Sequence, residues 1–387
     1  GANQVTIKLA KPDYLFNDEL ATYAGVVVEK KFSQEHGAAV GTPGVGVMCT
    51  GPYKFVKWTQ GQSITATRND DYWNKANVPL KVKNLTFTFV TDDAAITSGL
   101  LSGQIDGTYT PPIAGLKQLA TSGAGTLYNG PAPLEVTLVV ANLKGALGNA
   151  DVRKALQMAI DWKGIGDQIF GGEGTPISLA TVPAVYGFAE KDLTAYADSI
   201  KTDGRPRIDE AKKLLARVPA STRAEQISLV VPQQAETQHL GLAVKAAADK
   251  IGLNFKLDVV PATGYSNYLY DPKTRGNTDL LYTQFWPGIP NPLDWLALTA
   301  ITGASFNQSG YNGIDALYQK AVGTADPVER SKIVVEINKN LRDQMAPMFP
   351  GVELTNSLWM NKRITGAPAS FDYVFYPWAA YLAGTGK

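Results

Sequence analysis

The sequence has a single cysteine, Cys49, among 387 residues, so no disulfide can close within the chain and no cysteine cage can hold zinc. Its two histidines, His36 and His239, are too few for a histidine-rich metal centre. Long apolar runs are missing too. Stretches such as 138–141 and 333–335 fall far short of the ~20 residues that a membrane-spanning helix needs. Neither sign of charge is in excess: 36 Lys and Arg face 35 Asp and Glu, for a formal charge of +1. That balance, without any basic run, argues against a nucleic-acid partner. Phosphate-binding and nucleophile motifs are absent as well. The terminal Gly384-Thr385-Gly386-Lys387 lacks the spacing of a phosphate-cradling loop, and Ile169 stands where a dinucleotide motif starting at Gly164 and Gly166 requires a third glycine. There is no G-x-S-x-G elbow and no H-E-x-x-H pair. A Ser-His-Asp triad would have to use His36, in the polar stretch 33–37, or His239, on a surface helix, and both read as solvated side chains. A hydrolase working through two carboxylates far apart in sequence stays open.

What is present suits a folded protein. Hydrophobic residues make up 44% and charged residues 18%, which excludes a disordered or fibrous chain. At ~150 residues per domain, the length suggests two or three domains. The 37 glycines and 23 prolines are scattered, as in a fold with many short connections. Alternating patterns predict strands at 4–9, 53–58, 63–68 and 85–90, with a helix at 17–31. Asp92 or Asp93 can cap a helix running to Leu101, and Gly103 can stop it. The middle has a different rhythm. A strand at 134–141 precedes a helix at 151–170, where Val152, Ala155, Leu156, Ala159 and Ile160 recur at helical spacing. Another helix is predicted at 208–218. The strand 227–231, the helix 236–250 and the strand 254–260 then form a βαβ unit, which requires parallel strands. A further strand follows at 279–285, then a long amphipathic helix at 328–345 and an aromatic-rich segment of strand and loop at 352–383.

In parallel α/β sheets, ligands gather beyond the carboxyl ends of the strands. Here those ends carry Gln233 and Gln234, then Pro261 and Tyr265, then Phe285, Trp286, Pro287 and Gly288. Amides and aromatic faces at one edge suit a polar organic ligand held by stacking and hydrogen bonds. Gln233, Tyr265 and Asn291 are candidate contacts on this argument alone.

Several segments together resemble the extracytoplasmic solute-binding proteins of ABC importers, in the dipeptide, oligopeptide and nickel group often called family 5. They are Thr50-Gly51-Pro52-Tyr53-Lys54-Phe55, Arg68-Asn69-Asp70-Asp71-Tyr72-Trp73 and Ser102-Gly103-Gln104-Ile105-Asp106. Asp151-Val152-Arg153-Lys154-Ala155-Leu156 follows, continuing to Ala159-Ile160-Asp161, and then Asp209-Glu210-Ala211-Lys212-Lys213-Leu214-Leu215. Gly310-Tyr311-Asn312 and Asp326-Pro327-Val328-Glu329-Arg330 complete the series, in family order. Most of these motifs are scaffold, with the Arg68 to Trp73 run expected to pack an aromatic cluster beneath a turn.

The resemblance implies an α/β protein of the type II periplasmic-binding-protein class, with two lobes, a hinge, and mixed sheets flanked by helices. Lobe I is expected over 1–132, lacking its N-terminal part, lobe II over 133–352, and a return segment to lobe I over 353–387. The implied function is capture of a peptide or similar polar solute between the lobes and delivery to the permease subunits in the membrane, without catalysis, metal or cofactor. The protein is expected to be a monomer outside the cytoplasm, in the periplasm or on the outer face of the membrane, lipid-anchored in its full-length form. A nickel-chelate or oligosaccharide binder of the same family is the alternative. By position, Tyr109 and Thr110 from lobe I and Trp286, Pro287 and Gly288 from lobe II are the implied ligand contacts, with Phe349 on the hinge side. Peptide binders of the family often place an acid shortly after the Trp286 position to pair with the peptide ammonium. In this sequence the nearest acid is Asp294, so either Asp294 reaches the ammonium or the ligand has no free amine there.

Overall fold

The computed structural model describes residues 4–200 and 202–386. The chain divides into two compact units: unit 1 is Gly1–Asp18 with Pro133–Leu354, and unit 2 is Glu19–Ala132 with Thr355–Lys387. The strands are β1 (Tyr53–Thr59), β2 (Ser63–Arg68), β3 (Asn84–Thr88), β4 (Gly107–Tyr109), β5 (Gly125–Val140), β6 (Gly174–Pro176), β7 (Ile227–Pro232), β8 (Phe255–Val260), β9 (Leu280–Phe285) and β10 (Met348–Asn361). The chain passes from one unit to the other after Asp18 and again within the long strands β5 and β10.

In unit 2, β1, β2 and β3 form an antiparallel meander, with Tyr53 opposite Arg68 and Ser63 opposite Thr88. The helix Asp93–Ser102 starts where the Asp92 side chain accepts from the Ala95 amide at 2.7 Å. It ends at Gly103, whose φ of 77° lies in the left-handed region that a Cβ disfavours. Its Leu100 packs with Leu119 and Trp359 in a small core, and the Trp359 indole donates to the Leu119 carbonyl at 3.2 Å. Of the aromatic pair after Arg68, only Tyr72 joins a buried cluster, with Val78, Leu80 and Ala380. Trp73 is 75% exposed, because the turn points it outward.

Unit 1 contains the predicted βαβ unit. β7 and β8 are parallel, with Ile227 opposite Phe255, and the helix Ala235–Lys250 connects them. Gly241 lets this helix lie close on the sheet: a Cβ there would stand 2.6 Å from a Leu257 methyl. β9 is parallel to β7 and antiparallel to β5, and β10 borders β5. A second core lies under the helices Glu190–Ile200, Pro292–Thr299, Asp315–Val322 and Pro327–Gln344, where Leu193, Leu296, Ile314 and Ile337 are fully buried.

Three expectations differ from the structure. Residues 4–9 form no strand; Val5, Ile7 and Leu9 are exposed, and no neighbouring strand pairs with them. Leu15, just after this segment, packs into the unit 1 core. The helix expected at 17–31 is replaced by Phe16–Glu19, a tight turn at Tyr23–Gly25 and the helix Lys30–His36. The β-branched run Val26, Val27, Val28 separates them, and Val28 bridges to Cys49 instead. The helix expected at 151–170 stops at Ala159, because Ile160 turns extended and the Asp161 carboxylate caps a new turn at Gly164, 2.9 Å away.

Candidate functional site

Because β7, β8 and β9 are parallel, their carboxyl ends at Pro232, Val260 and Phe285 share one edge of the unit 1 sheet. β5 runs the opposite way to β9 and places Glu135 opposite Phe285, so its entry into the unit lies at that edge as well. At the end of β9 the inward and outward alternation continues past the strand. Gln284 is exposed, Phe285 is buried between Trp295 and Phe306 with ring centres 4.5 and 4.8 Å away, and Trp286 is 45% exposed.

The chain then crosses Pro287, Gly288, Ile289 and Pro290 to the helix Pro292–Thr299, and three side-chain hydrogen bonds fix that passage. The Asn291 side chain caps the helix by accepting from the Leu293 amide at 3.0 Å. Oδ2 of Asp294 accepts from the Gly288 and Ile289 amides at 2.8 and 3.1 Å. Burial raises the Asp294 pKa, and these two amides act against it. Asp294 therefore anchors the turn through one of its two carboxylate oxygens.

The remaining strand-end candidates separate. Gln233 is exposed just beyond β7, its amide held by the Val260 carbonyl at 2.7 Å. Tyr265 is buried: its hydroxyl donates to the Tyr282 carbonyl at 2.7 Å and lies 3.2 Å from that of Val230, linking β9 to β7. Burial drives its pKa upward. Tyr265 is thus tied into the scaffold through its hydroxyl. Phe349 is buried as well. It is 0% exposed, and its carbonyl accepts from the Thr137 hydroxyl inside unit 1, so it lines no surface. Pro287 is buried, while Gly288 is half-buried.

Two acids escaped the sequence argument. Glu135 on β5 is 1% exposed and accepts from the Gly351 amide at 3.2 Å. Burial raises its pKa well above the ordinary carboxylate range, and the nearby Glu353 charge adds to the effect. Glu353 on β10 accepts from the Ala184 amide at 2.9 Å, and burial pushes its pKa up to about 7. The available signal was an acid interrupting an otherwise apolar strand, in Leu134-Glu135-Val136 and Val352-Glu353-Leu354. Both belong to the interior of one sheet, and Glu135 is closed off from solvent, so the pair does not form the open acid-and-base arrangement of a carboxylate hydrolase.

In unit 2, Tyr109 stacks on Tyr373 with ring centres 3.7 Å apart and meets Trp378 edge-on at 5.4 Å. Its hydroxyl donates to the Pro368 carbonyl at 3.0 Å, and burial raises its pKa. Thr110 follows at a φ of 51°, a left-handed position unusual for a β-branched residue. Its amide donates to the Ser357 carbonyl at 2.8 Å, and its side chain is exposed. Among the described residues, no three His, Cys, Asp or Glu side chains gather where they could hold a metal, and no helix is long and apolar enough to cross a membrane.

The model of the bacterial extracellular solute-binding proteins, family 5 Middle, matches residues 1–307. The oligopeptide-binding protein OppA of Bacillus subtilis is 22% identical over 374 residues, which is 93% of this chain and 66% of OppA. The probable D,D-dipeptide-binding periplasmic protein DdpA of Escherichia coli is 22% identical over 382 residues, 96% of this chain and 69% of DdpA. The chain thus spans about two thirds of the length of these relatives. Among solved structures, the Helicobacter pylori periplasmic binding protein DppA in complex with the peptide STSA superposes with a TM-score of 0.77 at 16% identity, over 97% of this chain and 71% of the other. The binding protein AgaA of A. tumefaciens, in complex with agropinic acid, gives a TM-score of 0.78 at 21% identity, over 97% and 75%. These likenesses give the fold, mixed α/β of the periplasmic-binding-protein class. With the family model covering most of its length, the chain belongs to the bacterial extracellular solute-binding proteins, family 5.

Proposed function

We propose that the chain is the solute-recognising part of the extracytoplasmic binding protein of an ABC importer, and that its solute is a short peptide. In unit 1, recognition falls on Gln233, Trp286, Pro287, Gly288 and Asn291. The observation that carries this reading is Trp286. It keeps almost half of its surface exposed at the edge where three parallel strands end, on a segment whose backbone is held by Asn291 and Asp294. A large aromatic face on a fixed backbone gives a stacking surface at little cost in ordering. The names of OppA and DdpA support the peptide as solute. In unit 2, Tyr109 and Thr110 are the proposed contacts. The protein acts as a monomer that hands its solute to membrane permease subunits and performs no chemical step on it.

A second reading, a polar solute without a free ammonium, is favoured by Asp294, which is occupied by the Gly288 and Ile289 amides. Calorimetry with short peptides and their N-acetylated counterparts tests both readings. Equal affinity for the two is the expected result, and Trp286→Ala should weaken binding about tenfold, the size of one aromatic contact. A strong preference for the free amine would reinstate Asp294 as an anchor. No binding of any peptide would overturn the peptide reading.

A further inference from the structure

We propose that β5 and β10 form a pH-sensitive joint where they carry the chain between the units, firm at acid pH and looser as pH rises. The two strands are hydrogen-bonded neighbours, and each places one acid at its crossing. Glu135 is the third residue of unit 1 on β5, and Glu353 is the last but one of unit 1 on β10.

Both acids hold backbone in place there. Glu135 accepts from the Gly351 amide at 3.2 Å, which joins β5 to β10. Glu353 accepts from the Ala184 amide at 2.9 Å, which fastens β10 to the turn Pro183–Val185. The backbones pack closely, since a Cβ on Gly351 would stand 2.0 Å from the Val136 carbonyl oxygen. The titratable groups that face Glu353 are Glu135 from β5 and Tyr186 just after the turn. β6 sets Thr175 opposite Glu353 and has no titratable residue. Neither acid makes an ion pair among the described residues, and no cation offsets a charge on either.

A buried carboxylate without a cation is costly. Glu135 is closed off from solvent and Glu353 is half-buried, so Glu353 ionises first. Burial sets that event at a pKa of about 7. The new charge is better solvated when β10 parts from the turn and from β5. The closed joint thus keeps a proton that the open one releases, and rising pH favours opening. The consequence for binding rests on the reading in which Trp286 of unit 1 and Thr110 of unit 2 meet one solute. A looser crossing leaves more freedom to be lost on binding, so affinity falls as pH rises.

Hydrogen exchange of the full chain at about pH 5 and about pH 8, corrected for intrinsic rates, reads the joint directly. The Gly351 and Ala184 amides are expected to lose protection tenfold or more at the higher pH, by an opening that low urea leaves unchanged. In Glu353→Gln their protection should stay level. His36 and His239 also titrate in this range but are exposed, and replacing both with Gln should keep the natural profile. Four results would each overturn the joint: level protection in the natural protein, an equal loss in Glu353→Gln, a profile that vanishes with the histidines, or exchange only through urea-sensitive unfolding. Calorimetry with an N-acetylated peptide lacking ionisable side chains should show several-fold weaker binding at the higher pH, and no such change in Glu353→Gln. Affinity that ignores pH while exchange responds would overturn the link to binding. Failure of every peptide to bind would overturn the peptide reading instead, and exchange would still decide the joint. The natural and histidine-free proteins keep the test decisive if Glu353→Gln does not fold.

Discussion

Replacing Glu353 with Gln should abolish a loss of stability that the natural protein suffers as pH rises. Burial pushes the Glu353 pKa from 4.5 up to about 7. Between those values the folded chain keeps a proton that the unfolded chain has released. The native state binds more protons there, so stability falls with increasing pH and levels off above the folded pKa. At 1.36 kcal/mol per tenfold change, and allowing for the part of the carboxyl still near solvent, the loss amounts to roughly 2–3 kcal/mol. Gln keeps the shape and the acceptor for the Ala184 amide, 2.9 Å away, but cannot ionise. The variant should match the natural protein near pH 4.5 and exceed it by roughly 2–3 kcal/mol near pH 8. Amide hydrogen exchange at Leu138 and Val140 reads this within the unit 1 sheet, independently of how unit 2 unfolds. A difference between the two proteins that stays flat within about 0.5 kcal/mol across that range would refute burial as the cause, and so would a variant less stable at the upper end.

Other substitutions separate scaffold from surface. Tyr265→Phe removes the hydroxyl that joins the Tyr282 and Val230 carbonyls and should cost about 1–2 kcal/mol in urea unfolding. Asp294→Ala frees the Gly288 and Ile289 amides; a loss of about 1–3 kcal/mol is expected, with weaker peptide binding as the Trp286 segment loosens. Gly351→Ala would place a Cβ 2.0 Å from the Val136 carbonyl oxygen, a backbone atom that cannot step aside, so little soluble protein should form. Gly241→Ala meets only the end of the Leu257 side chain at 2.6 Å, and a thermal melt should show a smaller cost, about 1 kcal/mol.

The elements most legible in sequence were those whose pattern and neighbours agreed. The unit running from Ile227 to Val260 forms as predicted, because alternation, helix length and short connections all ask for parallel strands. The segment at 4–9 shows the same alternation without forming a strand, since a strand exists only where another pairs with it. At the candidate site, the alternation that buries Phe285 and exposes Trp286 could be read directly, with the proline-rich irregularity after it. The commitments of individual polar groups could not. Tyr265 and Asp294 look alike on paper as ligand contacts, but hydrogen bonds to distant or looping backbone claim both. Glu135 and Glu353 are ordinary acids in sequence, and only their placement inside β5 and β10 raises their pKa values.

The sequence by itself determined the family and the α/β middle, and through one cysteine and a charge of +1 it removed disulfides and argued against polyanion binding. These follow from local pattern and composition, which need no partner. The tertiary structure alone decided which aromatics are surface and which are core, and which acids are buried. Each of those depends on residues brought together from separate segments, and a side chain's solvation, hydrogen bonding and charge are set by such neighbours rather than by its place in the chain.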